Sequence, residues 1–361
     1  MRILNAIERS IRRATLASLH FFSSRQEVGA KGIPPEQREK IERILLIRVD
    51  RIGDALISTP VIRQLRNHFP TTRIDLLLGH KNWMVAPLIA EINHHYVLPK
   101  SFVKIVRTIR ELRKNRYDLV INFHLNPSGS ADLISRLAKG KYLVERREGE
   151  QVKVGEHIIV QTSRLLSPLG IETISPKSEE EHRLSITLPP NVERKSESTE
   201  MVSIALNVSV AGAGRRWPEG YYIALTRLIH EEGMLPTIVG APGDRELIER
   251  IATASSSRFV EPTNNFSTFV GLLTNFDIVV TPDTSVVHIA AALQKPVIPL
   301  YASEKAGTEW RPWGTESDPI IELGGMELIT PERVLEHIIR MTRVKREEMQ
   351  TTESKVEGDV Q

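Results

Sequence analysis

The chain has 361 residues, of which 40% are hydrophobic and 26% are charged, and its net charge is +3 at pH 7. This length predicts two domains, and the composition is that of an ordinary soluble globular protein. The chain has no cysteine, which excludes disulfides, thiolate nucleophiles and iron–sulfur clusters, and we find no apolar run long enough to span a membrane. The mild positive charge does not by itself indicate nucleic acid, and we find no nucleic-acid-binding motif.

Residues 1–25 contain five arginines and one glutamate. Their apolar residues recur at helical spacing, which predicts a basic amphipathic helix. Such a helix either lies on an anionic membrane surface or packs on the first domain, and the sequence leaves both possibilities open. The segment lacks the unbroken apolar core of a signal peptide. Residues 29–40 resemble a linker, so residues 1–40 are predicted to form an N-terminal helix and linker.

Strand and helix patterns alternate through residues 41–175, which predicts an α/β domain with a parallel sheet. Continuous apolar runs, rather than alternating ones, indicate strands that are covered on both faces. The predicted strands are 44–49, 74–78, 96–98, 119–123 and 142–144. The predicted helices are 55–68, 83–92, 102–115, 131–138 and 156–169.

A polar stretch at 176–200 predicts an interdomain linker, and a second α/β alternation fills residues 201–344. The predicted strands of this second domain are 202–207, 236–239, 259–260, 278–281, 297–300 and 320–323. The predicted helices are 219–232, 244–254, 266–275, 286–293 and 331–344. The charged and polar tail at 345–361 is predicted to be disordered.

The turn at 282–285 joins a buried strand to a short apolar helix, at the strand end where open α/β sheets bind ligands. Asp283, Thr284 and Ser285 can cap that helix. Alternatively, the free N–H groups at its start can hold a phosphate or a sugar hydroxyl. His288 lies one turn into the helix, on the side of the same turn. The sequence alone leaves a helix cap with a core histidine as the alternative to a binding site.

The first predicted strand ends in a turn where Gly53 allows close backbone approach before a helix predicted to start near Asp54. Asp54 either caps this helix or acts as a general base, because an aspartate with its usual pKa of about 3.9 is ionised at neutral pH. Arg48 and Arg51 flank the turn and are candidates for binding an anionic acceptor. His124, after another predicted strand, is a further candidate on the acceptor side.

Two glycine-containing loops, at 211–216 and 239–246, follow strands of the second domain and precede helices. Small residues allow a ligand to approach the backbone, and arginines beside them suit a diphosphate. Neither loop is a Walker A or GxGxxG motif, and we find no motif for a metal site. The candidates for donor binding in and beside these loops are Gly212, Arg215, Arg216, Trp217, Gly240 and Asp244.

Four segments resemble glycosyltransferase family 9, the lipopolysaccharide heptosyltransferase family: VDRIGDALISTPVIRQLRNHFP, GRRWPEGYYIAL, IVGAPGDRE and TPDTSVVHIAAALQKPVIPLY. The resemblance implies a GT-B fold of two facing Rossmann-like domains, with the acceptor on the first and the nucleotide sugar on the second. It implies inverting, metal-independent transfer of a heptose from ADP-heptose to a lipopolysaccharide-core or related lipid-linked acceptor, with no cofactor beyond this co-substrate. It also implies a cytoplasmic enzyme, and the basic N-terminal segment fits peripheral contact with the inner face of the cytoplasmic membrane as one of its two possible roles.

The resemblance also implies roles for individual residues. Asp54 matches the family's proposed catalytic base, which deprotonates the acceptor hydroxyl as its oxygen attacks the anomeric carbon. Arg215 falls where the family has a basic residue at the donor phosphates. Asp283, Thr284 and His288 match the donor-binding turn, with Asp283 on the sugar hydroxyls and Thr284 at the diphosphate.

Three positions depart from the family pattern. Ser285 replaces a common glycine, Val287 replaces a small polar residue, and Pro242 replaces a glutamate of some members. A different nucleotide sugar therefore remains an alternative donor. A nucleotide-sugar epimerase and a non-catalytic nucleotide-sugar-binding protein of the same fold also remain open, whereas no nucleic acid partner is expected.

Overall fold

The computed structural model describes residues 26–28, 32–146, 153–188 and 201–343. The amphipathic helix expected in residues 1–25, part of each expected linker and the tail at 345–361 lie outside these residues. The described residues form two compact units. The first unit holds 26–28, 32–86, 90–146 and 159–174, and the second holds 87–89, 153–158, 175–188 and 201–343.

The first unit contains a parallel sheet in the order β1-β6-β5-β2-β3-β4. Its strands are β1 (Gln26–Glu27), β2 (Arg43–Arg48), β3 (Arg73–Gly79), β4 (His94–Leu98), β5 (Leu119–Asn122) and β6 (Tyr142–Val144). The apolar residues of β2 from Ile44 to Ile47 are fully buried, as the continuous apolar run predicts for a central parallel strand.

Helices connect these strands and cover the sheet. They are α1 (Pro35–Arg38), α2 (Ile52–Ile57), α3 (Thr59–His68), α4 (Phe102–Lys114), α5 (Gly129–Leu137) and α6 (Ile158–Ser163), with 3₁₀ helices at Trp83–Leu88 and Arg164–Leu169. Apolar residues of α4 and α5 pack with those of β2 and β5 in one hydrophobic cluster. This packing buries the inner face of α4 and leaves its other face to solvent.

The second unit contains another parallel sheet, in the order β12-β11-β10-β7-β8-β9. Its strands are β7 (Ser203–Asn207), β8 (Leu235–Val239), β9 (Arg258–Phe259), β10 (Ile278–Pro282), β11 (Val297–Tyr301) and β12 (Ile320–Ile321). Its helices are α7 (Glu219–Glu231), α8 (Arg245–Ser255), α9 (Phe266–Leu273), α10 (Ser285–Ala292), α11 (Glu304–Glu309) and α12 (331–343). In each sheet the order of successive strands reverses at the first long strand of the unit, β2 or β7, and ligands bind at such a point in open α/β sheets.

Several elements differ from the sequence-based expectations. The single helix expected at 55–68 is divided at Ser58 into α2 and α3, and Pro60 lies in the first turn of α3, where a missing N–H is tolerated. The helix expected at 83–92 is a shorter 3₁₀ helix that contains Pro87. Helix α1, inside the expected N-terminal linker, and helix α11 were not predicted.

Part of the expected interdomain linker packs in the second unit. Leu184 is fully buried, and Trp313 Nε1 donates a hydrogen bond to the carbonyl of His182 at 2.9 Å. Arg311 also forms an ion pair with Glu179. Residues 176–188 are therefore tied to the second unit, and residues 189–200 lie outside the described part of the chain.

Within the described residues, none of the helices combines the length and the apolar character that crossing a membrane requires.

Candidate functional site

The acceptor-side candidates of the first unit gather at the carboxyl end of β2. Asp54 is the third residue of α2, and its carboxylate accepts a hydrogen bond from the backbone N–H of Arg51 at 3.2 Å. Arg48, the last residue of β2, contacts the same carboxylate with Nη2 at 3.2 Å from Oδ1. Asp54 therefore caps the helix and also pairs with a buried arginine, while 13% of its side chain stays exposed.

Arg48 points into the first unit and is only 3% exposed. Its Nε donates a hydrogen bond to the carbonyl of Asp54 at 3.2 Å, and its Nη1 donates to the carbonyl of Phe123. Nη1 also lies 4.0 Å from Oδ2 of Asp50. The sequence analysis expected Arg48 to bind the acceptor, whereas the structure engages its donors within the protein and makes it the partner of Asp54.

Asp50 and His124 form a second pair beside Arg48. His124 follows β5, and its Nε2 lies 2.8 Å from Oδ1 of Asp50. The same nitrogen lies 3.2 Å from the backbone nitrogen of Val49. Nε2 therefore donates to Asp50 when it carries a hydrogen and accepts from the Val49 N–H when it does not. The sequence analysis named His124 but missed Asp50, although its position in the loop that leaves β2 was an available signal.

The surroundings move the pKa values of the two carboxylates in opposite directions. Burial raises the pKa of Asp54; Arg48 opposes this rise, and the charge of Asp50 adds to it. Burial also acts upward on Asp50, but the hydrogen bond from His124 and the charge of Arg48 outweigh it, so the pKa of Asp50 is lowered. Asp50 is therefore held ionised, while Asp54 has the higher proton affinity that a general base requires.

The loop between β2 and α2 is fixed by a residue that the sequence analysis missed. Asn82 is fully buried, and its Nδ2 donates hydrogen bonds to the carbonyls of Arg48 at 2.9 Å and Arg51 at 3.3 Å. The side chain of Arg51 is exposed and accessible to an anionic group. Gly53 was expected in the turn before the helix, but α2 begins at Ile52 and Gly53 lies inside it.

The donor-side candidates of the second unit meet where the loop after β7 reaches the turn after β10. Arg215 Nη1 lies 3.1 Å from Oδ2 of Asp283 and donates a hydrogen bond to the carbonyl of Asp283 at 3.0 Å. Arg215 Nη2 donates to the carbonyl of Ala211 at 2.9 Å. Gly212 has a φ of +119°, a conformation that favours glycine. Both partners of the ion pair are partly exposed, so either can bind a ligand instead.

Thr284 caps helix α10 and joins a small polar cluster. Its Oγ1 accepts the backbone N–H of Val286 at 3.2 Å and lies 3.2 Å from Oγ1 of Thr281. Asn207, at the end of β7, is fully buried and donates from Nδ2 to Oγ1 of Thr281 at 2.9 Å. The sequence analysis missed Asn207. Ser285 begins α10 and is partly exposed at the same helix start.

His288 is buried one turn into α10. Its Nδ1 has no hydrogen-bond partner among the described residues, and its ring lies 6.4 Å from that of Trp310, measured between centroids. Burial lowers the pKa of His288 to about 4, so its imidazole is neutral at pH 7. A buried and unpaired ring nitrogen beside the turn is able to accept or donate one hydrogen bond to a bound group.

The remaining donor-side candidates have different surroundings. Arg216 pairs with Asp244, with 3.2 Å between Nη2 and Oδ1, at a partly exposed position. A Cβ on Gly240 would lie 2.7 Å from Oγ of Ser209, so the second loop packs too closely for a side chain there. Trp217 was expected to contact the donor, but it is buried in the core, and its Nε1 donates to the carbonyl of Ile329 at 2.8 Å.

No group of three or more histidine, cysteine, aspartate or glutamate side chains in the described part of the chain is arranged to hold a metal ion. Arg215 and the N–H groups that begin α10 are positive groups at the donor-side turn, and Arg216 lies beside Asp244 of the second loop. These groups suit the negative charge of a diphosphate.

Solved structures of heptosyltransferases have the same fold as this chain. The E. coli ADP-heptose lipopolysaccharide heptosyltransferase II is 19% identical with a TM-score of 0.68, covering 84% of this chain and 99% of that one. The E. coli heptosyltransferase WaaC with ADP is 18% identical with a TM-score of 0.62, covering 83% of this chain and 98% of that one. The two parallel-sheet units therefore have the GT-B fold.

Sequence comparison identifies the family to which the chain belongs. The model of glycosyltransferase family 9, described as heptosyltransferase, matches residues 105–324. Lipopolysaccharide heptosyltransferase 3 of Escherichia coli is 22% identical over 292 residues, which cover 72% of this chain and 83% of that protein. The chain belongs to glycosyltransferase family 9, the heptosyltransferase family, and is a glycosyltransferase.

Proposed function

We propose that this chain transfers a heptose from ADP-heptose to a lipopolysaccharide-core or related lipid-linked acceptor, with inversion and without a metal. Family membership and the relatives named above support this substrate class. The ADP in the WaaC structure supports an adenine nucleotide as the donor's leaving group. The observation that carries the proposal is the Asp54 carboxylate, held by Arg48 with a raised pKa at the carboxyl end of β2.

The proposed reaction assigns one proton transfer to Asp54. The acceptor hydroxyl oxygen attacks the anomeric carbon and forms the new C–O bond as its proton passes to the carboxylate. The bond between the anomeric carbon and the diphosphate oxygen breaks, and its electron pair leaves with ADP. Because attack and departure occur on opposite faces of the carbon, the configuration inverts. Arg48 keeps the carboxylate in place through its contact at 3.2 Å.

The proposed donor site uses the residues around the turn after β10. Arg215 and the N–H groups at the start of α10 bind the diphosphate, and Asp283 bonds the sugar hydroxyls. The ion pair between Arg215 and Asp283 would then open, and each side chain would contact the ligand instead. His288 offers its unpaired Nδ1 to the donor, and Ser285 offers its hydroxyl.

The substitution Asp54→Asn tests the base. We expect transfer to fall by about 10²–10⁴-fold, because general base catalysis contributes this much, while ADP affinity stays unchanged. The measurement is ADP release from ADP-heptose with a lipopolysaccharide-core acceptor. Asp118→Asn is the matched control. The Asp118 carboxylate also accepts backbone N–H groups, those of Glu42 and Arg43 at 3.0 and 3.1 Å, but it lies at the amino end of β5, away from the site at the carboxyl ends of the strands. Full turnover in Asp54→Asn would contradict this role.

The identity of the donor is tested separately by calorimetric titration with ADP, UDP and GDP, each with and without Mg²⁺. We expect selective ADP binding that does not need Mg²⁺ and that is lost in Arg215→Ala. A preference for UDP or GDP would keep the transferase and replace the proposed donor. The absence of any nucleotide binding would favour a non-catalytic role.

A lipid-linked acceptor would place the enzyme on the inner face of the cytoplasmic membrane. The basic helix expected in residues 1–25 would support peripheral contact there, but it lies outside the described residues. Peripheral contact through this segment stays a prediction.

A further inference from the structure

Helix α4 and its flanks form a strongly basic surface on the first unit. Residues 100–116 contain seven lysines and arginines and a single acidic residue, Glu111. All eight charged side chains are exposed. This segment carries a net charge of +6, whereas the whole chain carries +3, so the rest of the chain is net negative. We call these basic side chains, together with Val103, the basic face.

The packing of α4 holds the basic face outward. Ile105, Ile109 and Leu112 on the opposite side of the helix are buried in the hydrophobic cluster of the first unit. The helix is therefore anchored in the core, and its outward side cannot turn inward. An α-helix of 13 residues is about 20 Å long, so the charges are spread along one continuous ridge.

Most of this charge is not neutralised by the residues that the structure describes. Arg107 lies 3.4 Å from Glu111, and Arg113 donates to the carbonyl of Leu137 at 2.7 Å. Lys104, Arg110 and Lys114 have no side-chain partner among the described residues. Helix α8 in the second unit differs, because its arginines are paired with glutamates: Arg245 with Glu249 and Arg250 with Glu219.

One strongly exposed apolar side chain, Val103, lies among the basic residues. The described part of the first unit exposes three large apolar side chains, Trp83, Val97 and Val103, and all three lie between residues 83 and 103. Val103 is 77% exposed and lies on α4 among the basic residues. Cations mixed with exposed apolar groups suit an anionic lipid surface, which offers phosphate charges and an apolar layer just beneath them.

We propose that the basic face docks the enzyme on an anionic phospholipid bilayer. The charge complementarity favours a lipid surface that carries many phosphates over a single anionic ligand, because the cations extend along the whole helix. Docking through this face requires neither residues 1–25 nor a particular donor sugar. It goes beyond the proposed reaction and can be tested independently of it.

The experiment is flotation of the full chain with vesicles of phosphatidylcholine alone and of phosphatidylcholine mixed with phosphatidylglycerol. We expect binding only to the mixed vesicles, weakened by added salt. The variant Lys104→Gln/Arg110→Gln/Lys114→Gln should bind about 100-fold more weakly, because each basic residue near an anionic surface contributes about fivefold. Gln preserves helix propensity, and circular dichroism verifies folding.

The matched control removes the same charge elsewhere. Lys177→Gln/Arg258→Gln/Arg343→Gln neutralises three exposed basic residues of the second unit, and we expect it to bind like the unmodified chain. Equal loss in both variants would show that net charge alone governs binding and would overturn the proposal. So would unchanged binding of the α4 variant, or no binding of the unmodified chain to anionic vesicles. Tighter binding of the unmodified chain to duplex DNA than to the vesicles would instead assign the face to nucleic acid.

A second measurement does not depend on charge removal. Because the chain has no cysteine, Val103→Cys creates a unique site for an environment-sensitive fluorophore. We expect its emission to shift to the blue on addition of the mixed vesicles. The same label at Val154→Cys, an exposed position of the second unit, should not shift. Emission at position 103 that stays unchanged while the protein floats with the vesicles would place the contact elsewhere.

Discussion

Arg48 lies beside two carboxylates at the carboxyl end of β2, and its distances to them differ. Its Nη2 lies 3.2 Å from Asp54, whereas its Nη1 lies 4.0 Å from Asp50. Asp50 has a second partner in His124 at 2.8 Å, whereas among the described residues the Asp54 carboxylate has only a backbone N–H besides Arg48. The negative charge of Asp50 therefore persists near Asp54 and increases the affinity of Asp54 for a proton.

The substitution Asp50→Asn tests this electrostatic coupling. It removes the charge that raises the pKa of Asp54 and leaves Arg48 to act on Asp54 alone, and both effects lower that pKa. Since the ionised base is the active form, we expect the acid limb of the kcat profile to move to lower pH. The measurement is kcat at saturating substrates across the acid range.

The control for this prediction is Glu91→Gln. Glu91 pairs with Arg63 at 3.1 Å in the same unit, and neither residue contacts Asp54. We expect its acid limb to coincide with that of the unmodified enzyme. A profile of Asp50→Asn that rises at the unmodified pH would show that Asp50 does not influence the base.

Sequence reasoning reached some of these residues because position along a strand is visible in the pattern. Asp54 and His124 follow buried strands, and the carboxyl ends of parallel strands lie at one edge of a sheet. The inward direction of Arg48 was not predictable, because it depends on the carbonyl of Phe123, which is distant in the sequence. The burial of Trp217 was not predictable for the same reason, since its partner is Ile329.

At the level of single elements, helices α9 and α10 begin with equivalent caps but differ in their expected function. Asn265 accepts the backbone N–H of Thr268 at 3.1 Å, and Thr284 accepts that of Val286 at 3.2 Å. Each cap satisfies one free N–H group of its helix. Asp283, just before α10, is paired with Arg215. The start of α10 therefore combines free N–H groups with a nearby arginine, as a diphosphate site requires.

We predict that Thr284→Ala and Asn265→Ala each lower the free energy of unfolding by about 1 kcal/mol, the usual cost of losing a cap. Only Thr284→Ala should also weaken ADP binding, because its hydroxyl and the ordered helix start contact the diphosphate in the proposed site. Urea unfolding and calorimetric titration of both variants test this. Equal ADP affinities in the two variants would reduce Thr284 to a structural cap.

The elements themselves were largely predictable, and their exceptions have local causes. Buried parallel strands such as β2 and β10 form continuous apolar runs that stand out in any sequence window. The division between α2 and α3 was missed because the apolar spacing continues across Ser58, although Pro60 marks the new helix start. Helix α11 was missed because it has six residues and few apolar ones.

At the scale of the whole molecule, the alternation of strands and helices predicted two α/β halves with parallel sheets. It did not predict which strands pair, because the order β1-β6-β5-β2-β3-β4 depends on contacts between distant segments. The GT-B fold came from the resemblance of four motifs, and comparison with solved structures confirmed it.

The stability of the whole chain should depend on two buried histidines of the second unit. Burial lowers the pKa of His157 to about 3 and that of His288 to about 4. In the unfolded chain both return to the ordinary value of about 6.5. Below that pH the unfolded state binds protons that the folded state does not. The stabilisation is therefore complete above pH 6.5 and is lost as the pH falls toward 4.

We predict that the free energy of unfolding falls by about 2 kcal/mol for each of these histidines when the pH is lowered from 7 to 5. Urea unfolding at both pH values measures the loss, and His157→Gln and His288→Gln should each reduce it by about that amount. Comparing the two pH values within one variant cancels whatever the substitution itself costs. His230→Gln, at an exposed position, should leave the loss unchanged. If His288→Gln lost as much stability between the two pH values as the unmodified chain, the pKa of His288 in the folded protein would equal its ordinary value, and burial would not lower it.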